Sequence, residues 1–249
     1  MIDLFDVQTG FGGMTPGRRD NPAAADWLAA MKRVSIGRAL VRTLPEAGDR
    51  DWRESNDELY AECAREPGLT PCPTLVPAAG GDAPPEAEQV ERAIARGAGA
   101  ASLRPAKDLW STAEWCAGAL FEALAARRMP AVCEAKVFGL DAIADIAGRH
   151  PELPVILVGP DRSFSRTILA LLERFPNVHL SLGSPVTVHG GVEHLVKRIG
   201  PERLLFGTGF PAADPMPAVT MLTYAEIGDA DKALIGAKNL ERLIGGIAR

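Results

Sequence analysis

The chain has 249 residues, 47% of them apolar and 24% charged, which is the composition of a globular protein without extended disorder. A formal net charge of -5, with no basic run, argues against a general binder of nucleic acid or anionic membranes, because no cation cluster is available to release counterions from phosphates. No apolar run nears the roughly 20 residues that span a bilayer, residues 1–5 lack the regions of a signal peptide, and the four cysteines form no CxxC pair; these features predict a reduced, cytoplasmic protein without a zinc cluster or disulfide framework, in which Cys133 is the one thiol to consider for reactivity.

Residues 4–7 read as a first strand, followed by a glycine-rich loop at 8–13 that lacks the spacing of a phosphate-binding fingerprint. Asn21-Pro22 joins an N-cap to an N1 proline and starts a helix that runs through Met31. Residues 39–44 form the second strand, with Arg42 near its end. A helix over 53–65 stops at Pro67-Gly68, and residues 69–76 form the third strand. The small-residue loop at 77–85 is not a domain linker, because the same alternation resumes after it. A helix over 86–96, a strand over 100–103 that ends at Arg104, a helix over 110–128 and a strand over 130–133 that ends at Glu134-Ala-Lys136 come next. After a helix over 140–149, Leu153-Pro-Val-Ile-Leu-Val158 is a continuous apolar run of the kind found in strands buried on both faces. Gly159-Pro-Asp-Arg162 closes it. A helix over 163–175, a strand over 178–182, a helix over 192–199 and a strand over 204–206 lead to terminal helices at 217–227, 231–237 and 239–244.

Eight strands alternating with helices imply a parallel α/β sheet, and eight is the number that closes a (β/α)8 TIM barrel, here as one domain over residues 1–249. An open doubly wound sheet is the alternative. In a barrel, side chains just past each strand converge at the C-terminal mouth. That gathers Gln8, Arg42, Arg104, Glu134, Lys136, Asp161, Ser184, His189 and Thr208. Three cations there favour a small anionic ligand such as a carboxylate, which a guanidinium grips through two parallel hydrogen bonds. The competing use of each cation is pairing with a nearby acid, most directly Lys136 with Glu134. Glu134 is the candidate general base, with a salt bridge as its other use. His189, flanked by glycines after the seventh strand, is the candidate partner in proton transfer. Of the other histidines, His150 is expected at a helix end, His179 facing a helix, and His194 in solvent.

The stretch Arg203-Leu-Leu-Phe-Gly-Thr-Gly-Phe-Pro211 carries a resemblance, since a short apolar strand runs into an open glycine loop. It resembles the last barrel strand of the amidohydrolase superfamily, in the branch of amidohydrolase-related hydrolases and decarboxylases, whose usual ending is of the type RLLFGSDYP. His150-Pro-Glu-Leu-Pro-Val-Ile-Leu-Val158 and Phe175-Pro-Asn-Val-His-Leu180 are similar to that branch's sixth- and seventh-strand entries, and Asn239-Leu-Glu-Arg-Leu243 to its terminal NAxRLL helix. The resemblance implies the barrel and also a set of metal-ligand positions. The first-strand pattern FDxHxHxG places Gln8 and Gly10 at its two histidines, the fifth-strand histidine falls at Glu134, the sixth-strand histidine falls near Gly159, and the eighth-strand aspartate falls at Gly209. Of these only Glu134 keeps ligand-type chemistry. The resemblance thus implies a hydrolase or lyase for a small carboxylate or lactone that works without zinc or another bound divalent metal, as lactonases of the branch make conceivable. The alternative is a non-catalytic relative that binds a small metabolite or a partner. Apolar surface on the outer helices leaves room for a homodimer.

Overall fold

The computed structural model describes residues 2–12, 24–44, 51–160, 165–183 and 190–249. Its strands are β1 (Phe5–Phe11), β2 (Arg38–Thr43), β3 (Leu69–Pro71), β4 (Ala101–Leu103), β5 (Ala131–Glu134), β6 (Val155–Val158), β7 (Val178–Leu182) and β8 (Leu204–Phe206). The intervening helices are α1 (Ala24–Arg33), α2 (Trp52–Arg65), α3 (Glu86–Ala95), α4 (Glu114–Ala126), α5 (Ala135–Phe138), α6 (Leu140–Arg149), α7 (Ser165–Arg174) and α8 (Gly191–Ile199). Three more follow β8: α9 (Met216–Tyr224), α10 (Asp229–Ala233) and α11 (Asn239–Gly245), with a π-helical segment, Leu234–Lys238, before the last.

All strand pairs are parallel, in two runs, β1-β2-β3 and β4-β5-β6-β7-β8. Short pairings close the two runs into a ring. Thr74 bridges Ser102 beyond β3, where the Ser102 N–H donates to the Pro73 carbonyl at 2.8 Å. On the other side, the Gly209 N–H donates to the Gln8 carbonyl at 2.8 Å. The result is the (β/α)8 barrel rather than an open sheet.

Side chains alternate along each strand, so the ring separates two apolar layers. Phe5, Val7, Leu40, Ala100, Val132, Ile156, Val158 and Leu205 fill the inside, and Ala237, Leu240 and Leu243 close it from below. The outward set, including Val41, Leu103, Cys133, Leu157, Leu180 and Phe206, packs on Trp27, Leu59, Leu120, Phe121 and Ile143 of the helices. Asn239 anchors the floor by donating from Nδ2 to the carbonyls of Pro201 at 2.8 Å and Leu204 at 2.9 Å. Among the described residues no helix is long and apolar enough to cross a membrane.

Several expectations are corrected. Residues 8–11 belong to β1 and are not a loop, because β1 pairs with β2 as far as Phe11 opposite Thr43, with a register shift between Asp6 and Thr9. The third strand ends at Pro71, since Pro71 and Pro73 have no N–H for a ladder. The helix expected from residue 110 begins at Glu114, because residues 105–110 turn tightly, with Leu109 at φ 55° and the Trp110 N–H bonded to the Pro105 carbonyl at 3.0 Å. His179 shares the inward face of β7 with Ser181, while Val178, Leu180 and Leu182 face the helices. Cys133 is fully buried and burial pushes its thiol well above its ordinary value, which removes it as a reactive thiol.

Candidate functional site

The barrel's C-terminal mouth opens on a cavity of 340 Å³. Its floor is Ser102, Val132 and Val158, its apolar walls include Leu44, Leu103, Val137, Phe210 and Pro211, and its polar side chains include Gln8, Arg42, Arg104 and Glu134. Strand periodicity accounts for this set. Arg42 lies two residues beyond Leu40, Ser102 two beyond Ala100, and Glu134 two beyond Val132, so each continues an inward-facing row to the rim. Gln8 breaks the alternation, because Val7 next to it is also inside. The register shift in β1 accounts for that, as bulges re-aim side chains next to sites.

Four of the five positions that the resemblance singled out, Gln8, Glu134, Gly159 and Gly209, meet at one spot. A Cβ built on Gly159 would lie 3.9 Å from Gln8 Nε2 and 3.9 Å from Glu134 Oε1, and one built on Gly209 would lie 3.7 Å from Gln8 Nε2. Both glycines have positive φ, 65° and 75°. The loops there are shaped around residues without side chains. Gly10 points elsewhere, since an added Cβ would run into the Arg42 carbonyl on β2.

Of the nine residues expected at the mouth, Gln8, Arg42, Arg104 and Glu134 line the cavity. Asp161, Ser184 and His189 lie outside the described residues. Two are corrected. Lys136 is exposed on α5, because the chain turns into that helix directly after Glu134. Thr208 is fully buried behind the cavity wall, where its Oγ1 donates to Asp6 Oδ2 at 2.5 Å and its N–H to Asp6 Oδ1 at 3.0 Å.

The cations differ in what they have left to offer. Arg104 is gripped in bidentate fashion by Asp108, with Nε 3.1 Å from Oδ2 and Nη2 3.0 Å from Oδ1, both side chains nearly buried. Its charge is already matched, and the acid four residues on was the available sequence signal. Arg42 makes no ion pair among the described residues, and its charge acts on Asp6 through space. Glu134 likewise makes no hydrogen bond or ion pair among the described residues.

Sequence reasoning missed Asp6, Ser181 and Asp108. Asp6 also accepts the Gln8 N–H at 2.9 Å, so one buried carboxyl ties β1 to the loop after β8. Burial raises it to about 6, against hydrogen bonds from Thr208 and Gln8 and the charge of Arg42. Ser181 Oγ donates to Gln8 Oε1 at 2.8 Å.

A catalytic divalent metal needs about three protein ligands. Among the described residues no three His, Cys, Asp or Glu side chains converge, and around the cavity Glu134 is flanked by a carboxamide and two glycines. This described donor set does not fit such an ion.

The chain's overall form recurs in known structures. 5-Carboxyvanillate decarboxylase of Sphingomonas paucimobilis superposes with a TM-score of 0.76 at 15% identity, covering 98% of this chain and 99% of that one. An uncharacterized TIM-barrel protein of Bordetella bronchiseptica superposes with a TM-score of 0.77 at 16% identity over 100% of both chains. Dihydroxybenzoic acid decarboxylase of a Polaromonas species, solved with bound manganese and 2-nitroresorcinol, gives 0.71 at 16% identity, covering 98% of this chain and 97% of that one. At such identities the likeness is one of fold. No curated protein sequence matches significantly. A family model described as amidohydrolase matches residues 14–246, from just past β1 to just past α11. By that match, which spans nearly the whole barrel, the chain belongs to the amidohydrolase family.

Proposed function

We propose that the protein is a hydrolase or lyase that acts on a small carboxylate or lactone at the barrel mouth, without a resident metal. The observation that carries this reading is that Arg42 and Glu134 face one apolar-walled cavity with no partner for either among the described residues. The cavity is large enough for a small organic acid, and few polar groups in an apolar shell is the usual make-up of such sites. Relatives by fold are decarboxylases of aromatic acids by their descriptions, which supports a carboxylate as the ligand class.

In this reading Arg42 binds the carboxylate and Glu134 moves a proton. For an ester or lactone, Glu134 removes a proton from water as the water oxygen bonds to the carbonyl carbon. The bond from that carbon to the leaving oxygen then breaks, and Glu134 returns the proton to the leaving oxygen. In the lyase version Glu134 first takes a proton from solvent; the bond to the carboxyl carbon then breaks, carbon dioxide departs, the electron pair stays on the remaining carbon, and Glu134 delivers its proton to that carbon. No step passes through a divalent ion, because only Glu134 among the four positions at the cavity keeps ligand chemistry.

The test is a screen of small carboxylate esters, lactones and aromatic acids, with and without chelator. Activity that survives chelation and falls by about a hundredfold or more in Glu134→Gln is expected. Arg42→Met raises KM. Unchanged turnover in Glu134→Gln eliminates the base, and activity restored only by stoichiometric zinc or manganese overturns the metal-free mechanism. The glycines at 159 and 209 favour a second reading, a metabolite-binding barrel without turnover, which the same screen identifies as Arg42-dependent binding of acids that no condition converts.

A further inference from the structure

Gln8 sits where the cavity's geometry calls for an electrophile. Its Oε1 is held by the Ser181 hydroxyl at 2.8 Å, which leaves the Nε2 end facing the cavity. The position that a Cβ built on Gly159 would take lies 3.9 Å from Gln8 Nε2 and 3.9 Å from Glu134 Oε1, and no hydrogen bond joins the two groups. Among the described residues Gln8 Nε2 has no acceptor. Its position is over-determined, because the backbone of Gln8 is fixed at both ends, its N–H on Asp6 at 2.9 Å and its carbonyl on the Gly209 N–H at 2.8 Å. Gly207 makes room for the pair, since an added Cβ there would run into Ser181 Oγ and lie 2.9 Å from Gln8 Cβ.

The geometry points to the Gln8 carboxamide as the group that polarises the ligand: its Nε2–H donates to a carbonyl or developing oxyanion oxygen placed beside Glu134, with Ser181 as the positioning residue that fixes the amide's orientation. A preorganised donor aimed at an oxygen that gains negative charge stabilises the transition state more than the ground state, which is how a site without a Lewis acid lowers the barrier. The ligand class narrows accordingly, to acids that carry a second, carbonyl-type oxygen at a distance from the carboxylate that Arg42 holds. This inference rests on the reading of Arg42 and Glu134 given above.

The experiment uses the full chain and matched pairs of probes, pyruvate against propionate and levulinate against valerate, titrated by calorimetry. The parent protein is expected to prefer the keto acid of at least one pair by about tenfold, the worth of one good hydrogen bond. Gln8→Met, similar in length but without a donor, is expected to bring that ratio close to one. Ser181→Ala is expected to reduce the ratio in the parent and to change nothing further in the Gln8→Met background, whereas a purely structural role would lower affinity for both acids of a pair alike and add to the first change. Plain acids that bind through Arg42 while no pair shows a keto preference, or a preference that survives Gln8→Met, overturn the role of Gln8 and leave the carboxylate site standing. If neither member of any pair binds, the carboxylate site itself is wrong and this inference fails with it.

Discussion

Asp6 is the residue whose chemistry is moved furthest toward neutral pH by the fold. It is fully buried, and desolvation lifts its carboxyl to about 6 despite four influences that pull it down, the Thr208 hydroxyl foremost among them. A carboxyl that holds its proton more tightly folded than unfolded stabilises the fold most in acid. That contribution declines from about pH 4, where the unfolded chain ionises, and levels off above about pH 6, for a total on the order of 3 kcal/mol. His179 has the opposite sign. Burial, with the charges of Arg242 and Arg203 adding to it, lowers this histidine to about 3, so its contribution is complete above about 6.5 and is lost as the pH falls. Asp6→Asn keeps the acceptor for the two N–H groups and removes the ionisation. The unfolding free energy of the parent minus that of the variant, from urea titrations, is therefore expected to fall as the pH rises from 4 to 6. A difference that stays flat over that window refutes the assignment. Asp6 was visible in the sequence as part of the first-strand pattern, yet its partner Thr208 lies 202 residues away, and only ring closure brings them together. For Arg104 the structure selects the pairing with a nearby acid: its partner Asp108 is local, although it acts from a tight turn and not from a helix face.

At the level of elements, bounds are legible where every strand residue is buried or where a helix carries a clean apolar stripe. The seventh and eighth strands, at 178–182 and 204–206, and the helix at 140–149 match their expected bounds because burial on both faces, or a clean helical stripe, leaves one reading. β1 was cut short because Gly10 and Gly12 look like loop residues. Gly10 is instead the residue that lets β1 approach β2, where the Arg42 carbonyl occupies the space of a side chain. Gly207 plays the same part between β7, β8 and β1. Gly207→Ala is expected to cost about 1–3 kcal/mol through overpacking and to separate Ser181 from Gln8. Denaturant melts together with a structure of the variant check this. Parent-like stability with the 2.8 Å bond between Ser181 and Gln8 intact contradicts the packing argument.

At the scale of the whole molecule, the barrel is a ring of five well-paired strands and three others, and the join between β3 and β4 is its thinnest part. Two prolines remove ladder donors there, and one bridge, Thr74 to Ser102, spans the gap. Two side chains hold the same segment from its other edge. Asn56 on α2 accepts the Thr74 N–H at 2.8 Å and donates to the Thr74 carbonyl at 2.8 Å, and Gln89 on α3 treats Val76 in the same way, at 3.3 and 2.9 Å. Both amides are buried, so each backbone group they serve would lose its partner with no water to replace it. Asn56→Ala leaves a buried donor and a buried acceptor unmatched, each worth about 1–3 kcal/mol, and a loss of about 2–6 kcal/mol is expected. The loss has a location as well as a size. Amide exchange at Ser102 and Leu75, whose N–H groups cross the join, is expected to accelerate more than exchange in β5, β6 and β7. Arg42 stands on one side of the join and Glu134 on the other, and their spacing depends on its closure. Carboxylate affinity should therefore drop in Asn56→Ala even below its unfolding midpoint. Uniform exchange across all eight strands, with ligand affinity unchanged, would show instead that the ring is held elsewhere.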